Sequence, residues 1–125
     1  MTTYDISING NIYQFKFGIG FMHELDKRVK QPVNGIPGLS KNIGFKYIVA
    51  DLMDGSIDAL IDVLDVGNMG QNPRLKRSEI EAYLEDDDTD VEALFELVLD
   101  FLSRANVCRR TVEDLKKAIE EAEEK

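Results

Sequence analysis

A chain of 125 residues, 43% hydrophobic and 31% charged, fits one domain spanning 1–125, long enough to bury roughly two thirds of its unfolded surface without metals or disulfides. Its net charge of −9 and isoelectric point near 4.6 argue against nucleic acid or an anionic membrane surface as a direct ligand, because binding phosphate needs a cationic face. The imbalance is local: residues 1–78 hold 9 basic and 8 acidic side chains, residues 79–125 hold 6 and 16. Such a split describes either a solvated helical surface or an acidic half that meets a basic partner.

The chain opens on a hairpin signal. Apolar and polar residues alternate through Ile6, Ile8, Ile12 and Phe15 to Phe17, and Asn9-Gly10 interrupts them where two strands would meet. Asn-Gly tolerates the positive φ values of a type I′ turn, whose twist matches paired strands. A two-stranded hairpin is marginal alone, so its apolar face needs a helical cover. Its edge offers unpaired N–H and C=O groups to a neighbouring copy, which makes Ile12, Tyr13, Gln14 and Phe15 the expected self-association residues.

The period then changes from two to about 3.6. Phe21, Met22, Leu25 and Val29 share one face of a helix expected from Ile19 to Lys30 and ended by Pro32. The segment QPVNGIPGLSKN, Gln31 to Asn42, reads as a loop. Its Val33, Ile36 and Leu39 either tuck onto the core or form a mobile segment that closes over a neighbour. Phe45, Ile48, Val49, Leu52 and Met53 predict a second helix over Ile43–Met53, stopped by Asp54-Gly55. Ser56 can cap a third, with Ile57, Leu60, Ile61 and Leu64 in one stripe and Asp58, Asp62 and Asp65 mostly off it. Gly67 to Pro73 reads as a break.

Capping-box patterns at Ser78–Glu81 and Thr89–Glu92 open the next two helices. The first is short and carries Ile80, Tyr83 and Leu84. The second carries Val91, Leu94, Phe95, Val98, Leu99 and Leu102, widened by Leu97 and Phe101, and is expected to be the central helix. A last helix begins near Thr111, with Val112, Leu115, Ile119 and Ala122 in a narrow seam and Glu113–Lys117 and Lys116–Glu120 as i, i+4 pairs. Its glutamates sit at the negative end of the helix dipole, so the last turn should fray. The fold expected is α+β, mainly α: a β-hairpin (1–18), a helical core (19–110) and a C-terminal helix with a frayed acidic end (111–125), with five to six helices in all.

No catalytic, cofactor or metal site stands out. Gly18-Ile-Gly20 begins a dinucleotide fingerprint whose third glycine position is His23. His23-Glu24 begins a zinc pattern whose second histidine position is Lys27. Asp86, Asp88 and Asp90 match the first ligands of an EF-hand, but Val91 and Leu97 occupy the glycine and closing glutamate positions. With one histidine and one cysteine, no nucleophile-and-base constellation emerges. The lone Cys108 cannot form an internal disulfide. MTTYDISING lacks a signal-peptide pattern, and no run approaches the roughly 20 apolar residues of a membrane span. A cytoplasmic, non-enzymatic protein is expected.

The stretch INGNIYQFKFGIGFMHEL resembles the opening of the tail assembly chaperones of long-tailed bacteriophages and prophages of the Gram-positive type: a strand, a glycine turn, an aromatic second strand and a helix ending in leucine. The likeness continues in the two-helix unit Phe45–Leu64, the Ser78 helix, the acidic junction Leu84–Asp90 and Val91–Leu102, though the loop Gln31–Asn42 is longer than in that pattern. The resemblance implies a chaperone in the host cytoplasm, absent from the finished virion. Such a protein binds and solubilises the helical tape measure protein, helps recruit tail tube subunits, self-associates, and in many members has a longer frameshifted form. No cofactor is implied. A chaperone needs apolar contact surface together with charge to stay soluble, and the candidates here are Val33, Ile36 and Leu39 with the Val112, Leu115, Ile119 seam. Two rivals remain: an acidic DNA mimic occupying a nucleic-acid-binding protein, and a plain oligomeric adaptor.

Overall fold

The computed structural model describes residues 3–28, 30–32 and 40–123. Strands β1 (Tyr4–Ile8) and β2 (Asn11–Phe15) pair antiparallel from Tyr4↔Phe15 to Ile8↔Asn11. Asn9 at φ 52° and Gly10 at φ 81° supply the two positive values a type I′ turn demands. Ile6, Ile8, Tyr13 and Phe15 face inward, while Asp5, Ser7, Ile12 and Gln14 face outward, the period of two that a half-buried strand imposes. Phe17, just past β2, is buried between the rings of Phe15 and Phe21 at 6.3 and 5.0 Å.

Helix α1 (Ile19–Asp26) buries Phe21 and Leu25 and ends one turn before Lys30, where the periodicity places its end. The cause is a second antiparallel ribbon, β3 (Lys30–Pro32) with β4 (Ser40–Asn42). Pro32 already disfavours helix at the residue before it, and pairing gives the extended backbone its hydrogen bonds. The expected loop Gln31–Asn42 therefore has paired ends, and Val29 lies outside the described residues.

Helix α2 (Gly44–Met53) lacks a cap of its own at Ile43; Asp26 at the end of α1 accepts the Phe45 N–H at 2.9 Å instead. α2 stops in a Schellman motif. Gly55 at φ 85° donates to the Leu52 carbonyl at 3.1 Å and Ser56 to that of Asp51 at 3.0 Å. Ser56 then accepts the Ala59 N–H at 3.2 Å and opens α3 (Ile57–Asn68), as its position in the sequence predicts.

α3 is the central helix, in place of the expected Val91 helix. It buries Ala59, Leu60, Ile61, Val63, Leu64, Val66, Gly67 and Asn68 and packs on α1, α2, β2 and α4 (Arg77–Glu85). It also continues through Gly67, the expected start of a break, because a hydrogen atom there lets the Phe17 ring lie against the backbone; a Cβ would come within 2.7 Å of Phe17 Cε1.

The next two caps each differ from their capping-box patterns. In α4 the Glu79 carboxylate accepts the Lys76 N–H at 3.2 Å, in place of the Ser78–Glu81 pairing. Helix α5 (Val91–Arg104) is capped by Asp90, which accepts from the Ala93 N–H at 3.0 Å, in place of Thr89. α5 buries Leu94, Val98, Phe101 and Leu102 and leaves Phe95 and Leu99 half-buried. Tyr4 binds it to the hairpin, its ring 4.7 Å from that of Phe101.

Helix α6 (Arg109–Glu123) starts two residues before Thr111. Its seam is graded: Val112 is buried, Leu115 half-buried and Ile119 42% exposed. Neither Glu113–Lys117 nor Lys116–Glu120 closes to a salt bridge among the described residues. One hydrophobic cluster joins Ile6 of β1 to Val112 of α6. Leu60→Ala, at a fully buried site of α3, is expected to cost about 2 to 5 kcal/mol in urea unfolding. Phe95→Ala and Leu99→Ala should each cost about 1 to 2, because part of the lost surface is already wet.

Candidate partner-binding surface

The expected contact residues fall into three groups. Val33, Ile36 and Leu39 lie outside the described residues. Val112 belongs to the core, and the exposed part of its seam begins at Leu115 and opens at Ile119. In β2, Tyr13 and Phe15 are buried, and the Tyr13 hydroxyl donates to Glu79 Oε2 at 3.4 Å, so only Ile12 and Gln14 are presented outward.

The outer edge of β2 is already in use. The Gln14 carbonyl accepts from Asn68 Nδ2, and the Lys16 N–H donates to the Gly67 carbonyl, each at 2.8 Å. The end of α3 thereby caps the edge that sequence reading leaves open. On β1, Asp5 and Ser7 point outward, and among the described residues their backbone groups have no partner outside the hairpin.

Two of the three carboxylates of α3, the half-buried Asp62 and Asp65, are neutralised in place. Asp62 Oδ1 meets Arg28 Nη1 at 2.8 Å and Arg77 Nη1 at 3.0 Å, and Asp65 Oδ1 meets Arg74 Nη2 at 2.7 Å. This network clamps the end of α1 and the start of α4 to α3. Its half-exposed pairs contribute little each, but the charge is spent within the chain.

Two depressions flank the strand-to-helix corner. One of about 500 Å³ lies between Gly18, Gly20 and the end of α3, and one of about 320 Å³ lies between Tyr4, Ile19 and Arg104. Both mix backbone, lysine or arginine and apolar side chains. Cys108, next in sequence to Val107 on the second depression, is buried, which pushes its thiol up to about 12, and its Sγ lies 3.6 Å from the Phe17 carbonyl. It is an inert packing residue. Asp86 holds the turn before α5 by accepting the Asp88 N–H at 2.9 Å.

A further groove of about 560 Å³ runs between the α2–α3 corner and α5. Met53 and Ile57 form one wall, and Val91, Phe95 and Leu99 form the other over a floor at Leu52. Among the described residues, Glu92 and Glu96 are its only charged lining residues. Sequence reasoning assigns Ile57, Phe95 and Leu99 to core stripes. The available signal was the width of the α5 apolar face, which Leu97 and Phe101 extend beyond what one neighbouring helix covers.

No described helix is long and apolar enough to cross a membrane. No curated protein and no solved structure matches the chain. A family model described as phage tail assembly chaperone protein, TAC, matches residues 5–117, which span the hairpin, the groove and most of α6. The chain thus belongs to the phage tail assembly chaperone family.

Proposed function

We propose that this chaperone binds a helical, apolar stretch of the tape measure protein, keeps it soluble during tail assembly and helps bring tail tube subunits to it. The match over residues 5–117 carries this reading, and the half-exposed apolar walls of the groove supply the kind of surface it needs. The family suggests a non-enzymatic role. The protein works in the host cytoplasm as a homo-oligomer, through the outward edge of β1 with Ile12 and Gln14 close by, and is left out of the virion. The exposed end of the α6 seam at Leu115 and Ile119 is a further contact.

Co-expression tests this reading. The tape measure protein encoded beside this chain is expected in the soluble fraction with the chaperone present and in the pellet without it. An unchanged distribution overturns the proposal. A DNA mimic, whose phosphate-like carboxylates would have to come from the acidic residues 79–125, would instead bind a basic protein with strong salt dependence.

A further inference from the structure

We infer that the groove between the α2–α3 corner and α5 receives an amphipathic helix from another protein, apolar along one face and basic along its flanks. The inference rests on the chaperone reading for the partner's identity and on the groove itself for the partner's chemistry.

Val91, Phe95 and Leu99 recur every fourth residue and are each half-buried, so they form one open line about two turns long. Met53 and Ile57 face them across the groove, and Ile57 is 46% exposed. Two apolar walls of this length accept the i, i+3, i+4 and i+7 side chains of a helix laid between them.

Charge decides which helix fits. Glu92 and Glu96 each follow a wall residue by one position, about 100° further around α5, and so form a rim. Asp54 and Asp58 flank the opposite wall in sequence, and both are exposed. Among the described residues none of these four carboxylates makes a salt bridge, in contrast to Asp62 and Asp65 further along α3. Among the described residues no lysine or arginine lines the groove. Basic flanks on the incoming helix would meet this rim, whereas acidic ones would be repelled.

The same argument disfavours a second copy of this chain. Its own exposed apolar seam, Leu115 to Ile119, carries Lys116 and Lys117 but five carboxylates from Glu113 to Glu123, so a second copy would bring a net-negative helix against the carboxylate rim.

Fluorescence anisotropy on the full chain provides the test, using two labelled peptides of about five helical turns, one of leucine and lysine and one of leucine and glutamate. The lysine peptide is expected to bind at least about tenfold more tightly. In Glu92→Lys/Glu96→Lys, whose two sites are exposed and whose fold is checked by circular dichroism, that preference should collapse or invert. Equal affinity for the two peptides, or a preference unaffected by the charge reversal, overturns the inference. So does a wild-type dimer in sedimentation velocity that the reversal dissociates, because a second copy would then be the occupant. Co-expression separates the two readings. If the wild-type chain solubilises the tape measure protein and the reversed chain does so equally well, the groove assignment fails while the chaperone reading stands. If the wild-type chain does not solubilise it, the chaperone reading fails whatever the peptides show.

Discussion

Asn68→Leu is expected to lower the free energy of unfolding by about 3 to 5 kcal/mol, measured by urea denaturation. Asn68 is fully buried at the last turn of α3. Its Nδ2 donates to the Gln14 carbonyl at 2.8 Å and to the Pro73 carbonyl at 3.3 Å. Its Oδ1 accepts from the Leu75 N–H and from Arg74 Nη1, the latter at 3.1 Å. Two donors and two acceptor sites are an asparagine amide's full capacity. Leucine keeps most of the volume and removes all four bonds at once. It would strand two carbonyls and a buried N–H, each costing about 1 to 3 kcal/mol when water cannot replace the partner. The same side chain joins β2, the end of α3 and the segment leading to α4, so the loss should also loosen the hairpin edge. A cost below about 1 kcal/mol would mean that water enters and takes over these bonds.

Gly44→Ala is expected to destabilise by about 3 kcal/mol, although alanine in place of glycine inside a helix ordinarily stabilises by about 1 kcal/mol. The sign reverses because a Cβ at Gly44 would overlap the carbonyl of Leu25. The carbonyl is backbone and the Cβ position is fixed by its own backbone, so no rotamer change relieves the contact, and α1 and α2 would have to separate. Separation would also strain the Asp26 bond to the Phe45 N–H, the side-chain cap on the start of α2. Gly67→Ala is the control. Its Cβ would meet the edge of the Phe17 ring, a buried side chain but one that can turn about its own torsions where a backbone carbonyl cannot, so the loss should be smaller, about 1 to 2 kcal/mol. Equal losses at the two glycines would show that the α1–α2 backbone contact is not special.

Features that depend on neighbouring residues were legible in the chain alone. Asn9-Gly10 needs only the steric freedom of two adjacent residues, and it lies at the turn of β1 and β2. The period of about 3.6 marks each of the six helices among the described residues. Ser56 and the Asp54-Gly55 stop act through bonds spanning a few positions, and both were readable. Helix starts moved by one or two residues at Arg77, Val91 and Arg109, where several polar residues compete to cap one turn.

What tertiary structure decided is which apolar surface is covered. Periodicity counts hydrophobic residues along a face and carries no information on how many elements reach that face. α5 has the broadest apolar stripe, yet α3, with its small Ala59 and Gly67, lets β2, α1, α2 and α4 close around it. The surplus on α5 became one wall of the open groove. The β3–β4 ribbon, the Asp26 cap on α2 and the Asn68 bonds to Gln14 join residues far apart in the chain, and none of them leaves a local pattern. The sequence by itself therefore determined the elements and their amphipathic character, because those follow from backbone sterics and local hydrogen bonding. The central helix, the occupied edge of β2 and the acidic-rimmed groove were decided by packing, because burial is a property of the neighbours a side chain acquires.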